Sequence, residues 1–589
     1  MADLANRASV PRAHAVPADG SAPGILAEAL SAHGKSDLAK AEALYRRALS
    51  LDPGNTEALH NLGVVGLQTG HPKSAAELFR RVIEADPEYA DAFCNLGLAL
   101  RAQGCLNEAA EAYTCAIATA PDMAEAHSNL GVVRKEQGAP DAAAESYRRA
   151  IEITPDLADA HCNLGVLLQE QGALEEAVRS FQNALEACPG NPFVEANLGA
   201  VMADLGRHDE AERHLKKALQ GMPQNPDVLF DVGRAAFAGG QIDRAVKFYR
   251  LAIKFSPDFA AAHHSLAHAL LARGELTEGW REYDWRWRAK TFIREPRNYP
   301  YPGWDGSPPA GKRILIWDEQ GVGDKILFAG LVPELMALGA DCVIETDARL
   351  VPLFQRSFAG AEVVPFEDTP DACIEKGAFD FQLPIGDLPR WLRPNLTSFR
   401  PLGNYLKPDG ALVGDLKSRY RALGSDAVVG ISWVSKPPKG ISLAELEPVL
   451  SQTGVTWINL QYGDHNTEVE SLRRDSGINI DADPAIDPIK DMDGFAAQVA
   501  AMDAVVTIQN TTLYVAGGVG VPTLALTSPA PDWRWFGGAG RINETPIPDP
   551  WHENVTLYKR KPGQKAVSAI TEIAAALSRL LASRSEAVS

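Results

Sequence analysis

The chain has 589 residues, of which 46% are hydrophobic and 23% charged, a globular composition that excludes disorder for most of its length. At about 100–200 residues per domain it holds roughly three to five domain equivalents. Lysine and arginine number 57 against 76 acidic residues, a net charge of −19. That balance excludes a chain whose main task is gripping nucleic acid, which needs clustered cations. No run of 18 or more apolar residues appears, so no membrane span is expected. The start of the chain, rich in Ala, Pro, Arg and Ser and without a continuous apolar core, reads as a disordered leader over 1–21. The seven cysteines include no CxxC pair. They read as reduced thiols of a cytoplasmic protein, and no zinc site is expected.

From 22 to 289 the chain repeats. Pro53, Pro87, Pro121, Pro155, Pro189, Pro223 and Pro257 are spaced by 34 residues, as are Gly70, Gly104, Gly138, Gly172, Gly206, Gly240 and Gly274. Ala41, Ala75, Ala109, Ala143, Ala177, Ala211 and Ala245 keep the same step. A ring position reads Tyr45, Phe79, Tyr113, Tyr147, Phe181, Leu215, Tyr249. Glycine permits the tight turn between two antiparallel helices, alanine their close approach, and proline ends each unit. The pattern resembles the tetratricopeptide (TPR) repeat and implies about eight helix pairs stacked into a superhelix with a concave groove. Asn61, Asn95, Asn129, Asn163 and Asn197 recur before Leu-Gly, and the series breaks at Asp231 and Ser265. A carboxamide carries donors and an acceptor, so five in register form a candidate ladder for an extended acceptor polypeptide. Bridging between helices is the alternative. This Asn-Leu-Gly version resembles the repeats of O-GlcNAc transferase, in which such a ladder lines the groove.

Repetition stops in the segment 278–288, where Trp280, Tyr283, Trp285 and Trp287 read as a stopper packing the array on the next domain. A carbohydrate platform is the other reading. Residues 290–312, rich in Pro and Gly, read as a linker. Strands and helices then alternate. Strands are expected at 313–318, 342–345, 362–365 and 379–383. A second series is expected at 428–433, 456–461, 504–509 and 522–527, with a terminal helix over 567–582. The expected architecture is an all-α TPR superhelix followed by an α/β GT-B domain of two Rossmann-like halves, 313–410 and 411–589. The terminal helix is expected to cross back onto the first half.

The segments Trp280-Arg-Glu-Tyr-Asp-Trp-Arg-Trp287, Asp318-Glu-Gln-Gly-Val-Gly-Asp324 and Pro531-Asp-Trp-Arg-Trp535 resemble a bacterial family. It joins TPR repeats to a heptosyltransferase-like GT-B domain and includes flagellin O-glycosyltransferases. The resemblance implies a cytoplasmic, inverting, metal-independent protein O-glycosyltransferase. A nucleotide sugar, a CMP-linked nonulosonic acid of pseudaminic or legionaminic type, serves as co-substrate, with no other cofactor. The acceptor, flagellin by the same analogy, is held by the TPR array. The alternatives are a TPR scaffold or chaperone with an inactive GT-B domain, and a lipopolysaccharide-type glycosyltransferase.

A serine or threonine hydroxyl needs a carboxylate within hydrogen-bond reach to take its proton. Asp324, after Gly321 and Gly323 at a strand end, is the first candidate and Glu319 the reserve; in heptosyltransferases the matching Gly-Asp carries the proposed base. A plain helix cap is the competing role for Asp324. Asn510, Thr511 and Thr512 open a helix after a buried strand, which suits a phosphate. The Thr-Thr pair resembles a phosphate-contacting pair of O-GlcNAc transferase, although Tyr514 stands where many relatives have histidine. Lys436 and Lys439 lie in a loop where relatives place a phosphate-neutralising lysine. Gln461 is a candidate for the base or ribose, and Trp533 and Arg534 are candidates for the cleft wall. No metal site is expected.

Overall fold

The computed structural model describes residues 21–289, 296–435, 440–528, 532–535, 545–560 and 566–588, the last five by backbone alone. The chain divides into two compact units, 1–223 and 224–589.

Among the described residues the first unit holds six antiparallel helix hairpins, from Ala22–Gly34 with Leu38–Leu51 to Pro192–Asp204 with His208–Gly221. The turn glycines Gly70, Gly104, Gly138, Gly172 and Gly206 have φ between +74° and +80°, a region that a side chain rarely adopts. Proline occupies the first turn of Pro72–Ala85, Pro140–Ile153 and Pro192–Asp204, where its missing N–H costs nothing. The ring position packs beneath the Asn-Leu-Gly glycine: a Cβ on Gly97 would lie 2.7 Å from Tyr113, and one on Gly131 2.6 Å from Tyr147. The glycine and the ring thus form one lock per repeat, and the alanine behind it is fully buried in every hairpin.

The second unit begins with two more hairpins, Pro226–Ala238 with Ile242–Phe255 and Ala260–Arg273 with Leu276–Tyr283. Two parallel sheets follow. The first contains β1 (Arg313–Trp317), β2 (Asp341–Thr346), β3 (Glu362–Pro365) and β4 (Phe381–Pro384) in the order β3-β2-β1-β4. The second contains β5 (Ala427–Ile431), β6 (Val455–Asn459), β7 (Ile480–Asp481), β8 (Ala504–Ile508), β9 (Thr523–Thr527), β10 (Ile547–Pro548) and β11 (Val555–Lys559). Its order is β10-β11-β9-β8-β5-β6-β7, with only β10 antiparallel to its neighbour. Each sheet is doubly wound, its order reversing beside the first strand of the half, β1 or β5. Ligands in such sheets bind at the carboxyl ends near that reversal.

Three expectations change. Residues 296–312 are not a loose linker: Trp304 donates its backbone N–H to Gln382 (2.9 Å), Gln382 donates to Pro302 (2.9 Å), and the Trp304 ring is buried. These two bonds form one isolated parallel bridge between Gly303 and Gln382 at the β4 edge of the first sheet. The terminal helix Val567–Val588 lies on the second half, not the first. Its Ala569, Ile570, Ile573 and Leu577 join the core formed by β5, β6, β8, β9 and β11. That face of the second sheet is apolar and needs a cover, which fixes the helix there. The last two hairpins continue the repeat pattern but lie in the compact unit of the sheets. Trp280, Tyr283, Phe328, Leu513 and Trp533 share one core. Trp280 meets Trp533 edge-on (centroids 5.5 Å apart) and donates Nε1–H to the Arg393 carbonyl (3.2 Å). Trp285 stacks on His263 at 3.9 Å and Trp287 lies 5.6 Å from Trp317. Among the described residues no helix is long and apolar enough to cross a membrane.

Candidate functional site

β1 delivers the chain to a buried turn, Asp318 to Gln320, and then to the helix Val322–Ala329, whose N-cap is Gly321. Asp324 sits in the first turn, where the helix dipole favours a negative charge. Its side chain does not cap the helix. Instead Oδ1 accepts Nε–H of Arg534 at 2.9 Å and lies 2.7 Å from Nη2 of the same guanidinium. Arg534 also reaches Asp532 Oδ1 through Nη1 (3.1 Å). Burial works against the charge on Arg534, but Asp324 and Asp532 outweigh it and raise its pKa well above the usual value.

The next residue, Lys325, is buried and pairs with Asp318 at 2.6 Å; Asp347 is 3.8 Å away. The ion pair ties together the two ends of the turn that carries Glu319 and Gly321. Hydrogen bonds from Arg349 hold Asp347 down to about 2. Arg349 also donates to the Ile489 carbonyl of the second half (2.6 Å).

Glu319 points away from the turn's mouth. Oε1 accepts the Gly386 N–H (2.9 Å), Oε2 accepts from Gln320 (2.6 Å), and Arg286 is 3.6 Å off. Burial pushes its carboxyl up to about 7, with Arg286 opposing. This is a packing network rather than a surface for an acceptor hydroxyl.

In the second sheet, Asn510 follows β8 and caps the helix Thr511–Val519, its Oδ1 accepting Thr512 N–H at 3.1 Å. Its Nδ2 donates to Ser432 Oγ (2.6 Å), bracing the loop after β5. Gln461 braces the same loop: its Oε1 accepts from Ser432 Oγ (3.0 Å), Trp433 N (3.0 Å) and Val434 N (2.8 Å). Three bonds occupy that acceptor, so Gln461 shapes the loop instead of offering an amide oxygen to a base. Thr512 is buried, whereas Thr511 is half-buried at the helix start.

The two helix starts meet. A Cβ on Gly323 would lie 3.0 Å from Tyr514 Cδ2 and 3.5 Å from Thr511 Oγ1. The carboxyl ends of the two sheets therefore face each other across Gly323, Asp324, Thr511, Tyr514 and Arg534. Trp533 is adjacent in sequence but turned into the core, against Trp280, Tyr283 and Phe328. Lys436 and Lys439 lie outside the described residues. Tyr514, Asp532 and Lys325 join the site without having been expected as site residues. The signal for Asp532 was its place two residues before Arg534, and for Tyr514 its place one helical turn after Thr511.

The asparagine series runs along the stack. Asn95 Nδ2 lies 2.9 Å from His60 Nε2, and the amides of Asn129 and Asn197 reach the sulfurs of Cys94 and Cys162 at 3.9 Å. Each contact is to the residue 35 positions back, in the preceding repeat. Asn61 donates to the Glu57 carbonyl (2.9 Å). Asn61, Asn95 and Asn129 are buried, and Asn163 and Asn197 half-buried. Asn95, Asn129 and Asn197 thus bridge repeats, whereas Asn61 Oδ1 and Asn163 Nδ2 are buried with no hydrogen-bond partner among the described residues.

Models of the tetratricopeptide repeat match residues 32–96, 97–138, 133–172, 156–222 and 202–273. The stretch 32–273 is a run of TPR repeats. Protein FlbA of Caulobacter vibrioides is 34% identical over 300 residues, 48% of this chain and 50% of FlbA. The chain thus matches about half the length of this curated relative. Among solved structures, MamA is 31% identical, covering 27% of this chain and 93% of its own (TM-score 0.25). Pseudomonas aeruginosa PilF is 22% identical, covering 36% of this chain and 96% of its own (TM-score 0.33).

Proposed function

We propose that the protein is an O-glycosyltransferase of GT-B type that modifies a protein acceptor held by its TPR repeats. The observation that carries this reading is the meeting of Asp324, after β1 of one parallel sheet, with the Thr511 helix start, after β8 of the other. In the reaction, an acceptor serine or threonine oxygen attacks the anomeric carbon. The carbon–oxygen bond to the donor phosphate breaks, and its electron pair leaves with the phosphate. Asp324 takes the hydroxyl proton. The Thr511 helix start and Arg534 face the leaving phosphate. The Asp318–Lys325 pair and the Gln461 and Asn510 braces hold the two loops in place. Flagellin as acceptor and a CMP-linked nonulosonic acid as donor are the specific form of the proposal, on family analogy.

A second reading is a TPR scaffold with an inactive α/β domain. The Asp324–Arg534 pair favours it, because the carboxylate proposed as base is already occupied by a guanidinium. Intact mass of flagellin coexpressed with the chain and a nonulosonic acid pathway separates the two. The enzyme reading expects a mass ladder that disappears in D324A. Unmodified flagellin that still co-purifies would replace it with the scaffold reading.

A further inference from the structure

The pairing that speaks against an active base has a specific shape. Arg534 directs Nε and Nη2 to the same oxygen of Asp324, Oδ1, while Nη1 goes to Asp532. Asp324 and Asp532 set two carboxylates around one guanidinium, and their negative charge opposes a phosphate approaching the Thr511 helix start. The conflict is relieved when the guanidinium turns from Asp324 to the phosphate, because arginine binds phosphate by the same two-pronged geometry that it uses for carboxylate. The segment that bears it is anchored independently of that contact. Trp533 is locked among Trp280, Tyr283 and Phe328, and the Arg534 carbonyl accepts Trp551 Nε1–H at 2.7 Å. The side chain can therefore change partners while its backbone stays.

Resting on the reading of Asp324 as the base, we infer that Arg534 is a positioning residue that holds the Asp324 carboxylate until a nucleotide phosphate draws the guanidinium away. The base is then released only in a site already loaded with donor. An acceptor hydroxyl entering an empty site meets a carboxylate neutralised by its neighbour.

The test is a double-mutant cycle on the full-length chain, read as melting temperature without nucleotide and with saturating CMP or, in parallel, UDP. The variants are D324N, R534Q and D324N/R534Q, with R534K as a cation-preserving control should R534Q not fold. Without nucleotide, each single variant melts lower than wild type and the double variant melts no lower than the worse single. With nucleotide, the nonadditivity disappears, D324N melts with wild type, and R534Q loses the nucleotide-induced rise. Nucleotide binding with undiminished nonadditivity overturns this inference and leaves the proposed function standing. No rise in wild-type melting with either nucleotide overturns the donor-site reading and this inference together.

Discussion

The Tyr514 ring lies across Gly323, so that a single added methyl at Gly323 would stand 3.0 Å from Cδ2. The glycine is present for the approach of two helices from two sheets, since its φ is not in the left-handed region. Gly323→Ala therefore acts by wedging the halves apart at the site. Overpacking of this kind costs about 1–3 kcal/mol, and the proposed sugar transfer should fall roughly tenfold, as about 1.4 kcal/mol of misalignment would give. The double variant G323A/Y514L should recover most of the melting temperature; a double variant no better than G323A would mean that another contact sets the spacing.

Lys325 and Asp318 form a buried pair at 2.6 Å. Lys325→Met removes the ammonium that faces Asp318 in the interior, and breaking such a buried pair costs about 3–5 kcal/mol. D318N/K325M should be markedly more stable than K325M alone in urea titrations. Equal midpoints for the two would show that Asp318 is neutralised by other neighbours.

Glu319 makes stability fall as pH rises. Its folded carboxyl titrates at about 7 against an ordinary 4.5, so the folded state holds the extra proton between these values. The cost grows through that window and is complete above pH 7. Glu319→Gln keeps an acceptor for the Gly386 N–H, and Arg286 keeps Asp387 at 2.7 Å. The variant should melt higher than wild type at pH 8 and equal to it near pH 4.5. A variant that melts lower at pH 8 would show that the ion pair with Arg286 outweighs burial.

His60 acts in the opposite direction in the repeats. Burial lowers its pKa to about 4 from 6.5, so the unfolded chain takes up the proton first. The stability from this group is complete above pH 6.5 and is lost as pH falls toward 4. Circular dichroism melts of wild type and His60→Gln across that range should diverge at neutral pH and converge in acid. Parallel curves would remove His60 from the account.

In the array, Gly131→Ala forces a methyl to within 2.6 Å of the Tyr147 ring, whereas Gly138→Ala meets nothing and strains only a backbone at φ +78°. The first should cost about 1–3 kcal/mol and the second about 1 kcal/mol. G131A/Y147L should regain much of the loss, and G138A/Y147L should regain none.

What the sequence made legible depends on the range of the interactions involved. The 34-residue period exposes the hairpins directly, because each repeat's lock is local. β3 was expected at 362–365 and is found there, and the other seven expected strands lie within two residues of their places at either end. β7, β10 and β11 were not foreseen: β7 and β10 are two residues each, too short for an alternating pattern, and β11 was missed although the Pro- and Asp-rich stretch 546–554 before it carries turn signals. Asp324 and Thr511 were legible as helix starts after strands. Their proximity was not, since 187 positions separate them in sequence. Glu319 and Gln461 look in sequence like residues at open strand ends. Partners such as Gly386 and Ser432 turn them inward, and no spacing rule reports that. The asparagine series is periodic whether it faces a ligand or the next repeat, so the period alone left both roles open.

The anchoring of Trp533 by Trp280 and Tyr283 has an engineering consequence. An exchange of repeat arrays between related proteins should be spliced near Pro223 and Gln224, not at the end of the repeat pattern near 289. A splice at 289 would replace Trp280 and Tyr283 with foreign side chains and loosen the segment that carries Arg534. A splice at 223 leaves that aromatic cluster native, so a chimera made there exchanges the preceding hairpins while the segment carrying Arg534 keeps its anchors.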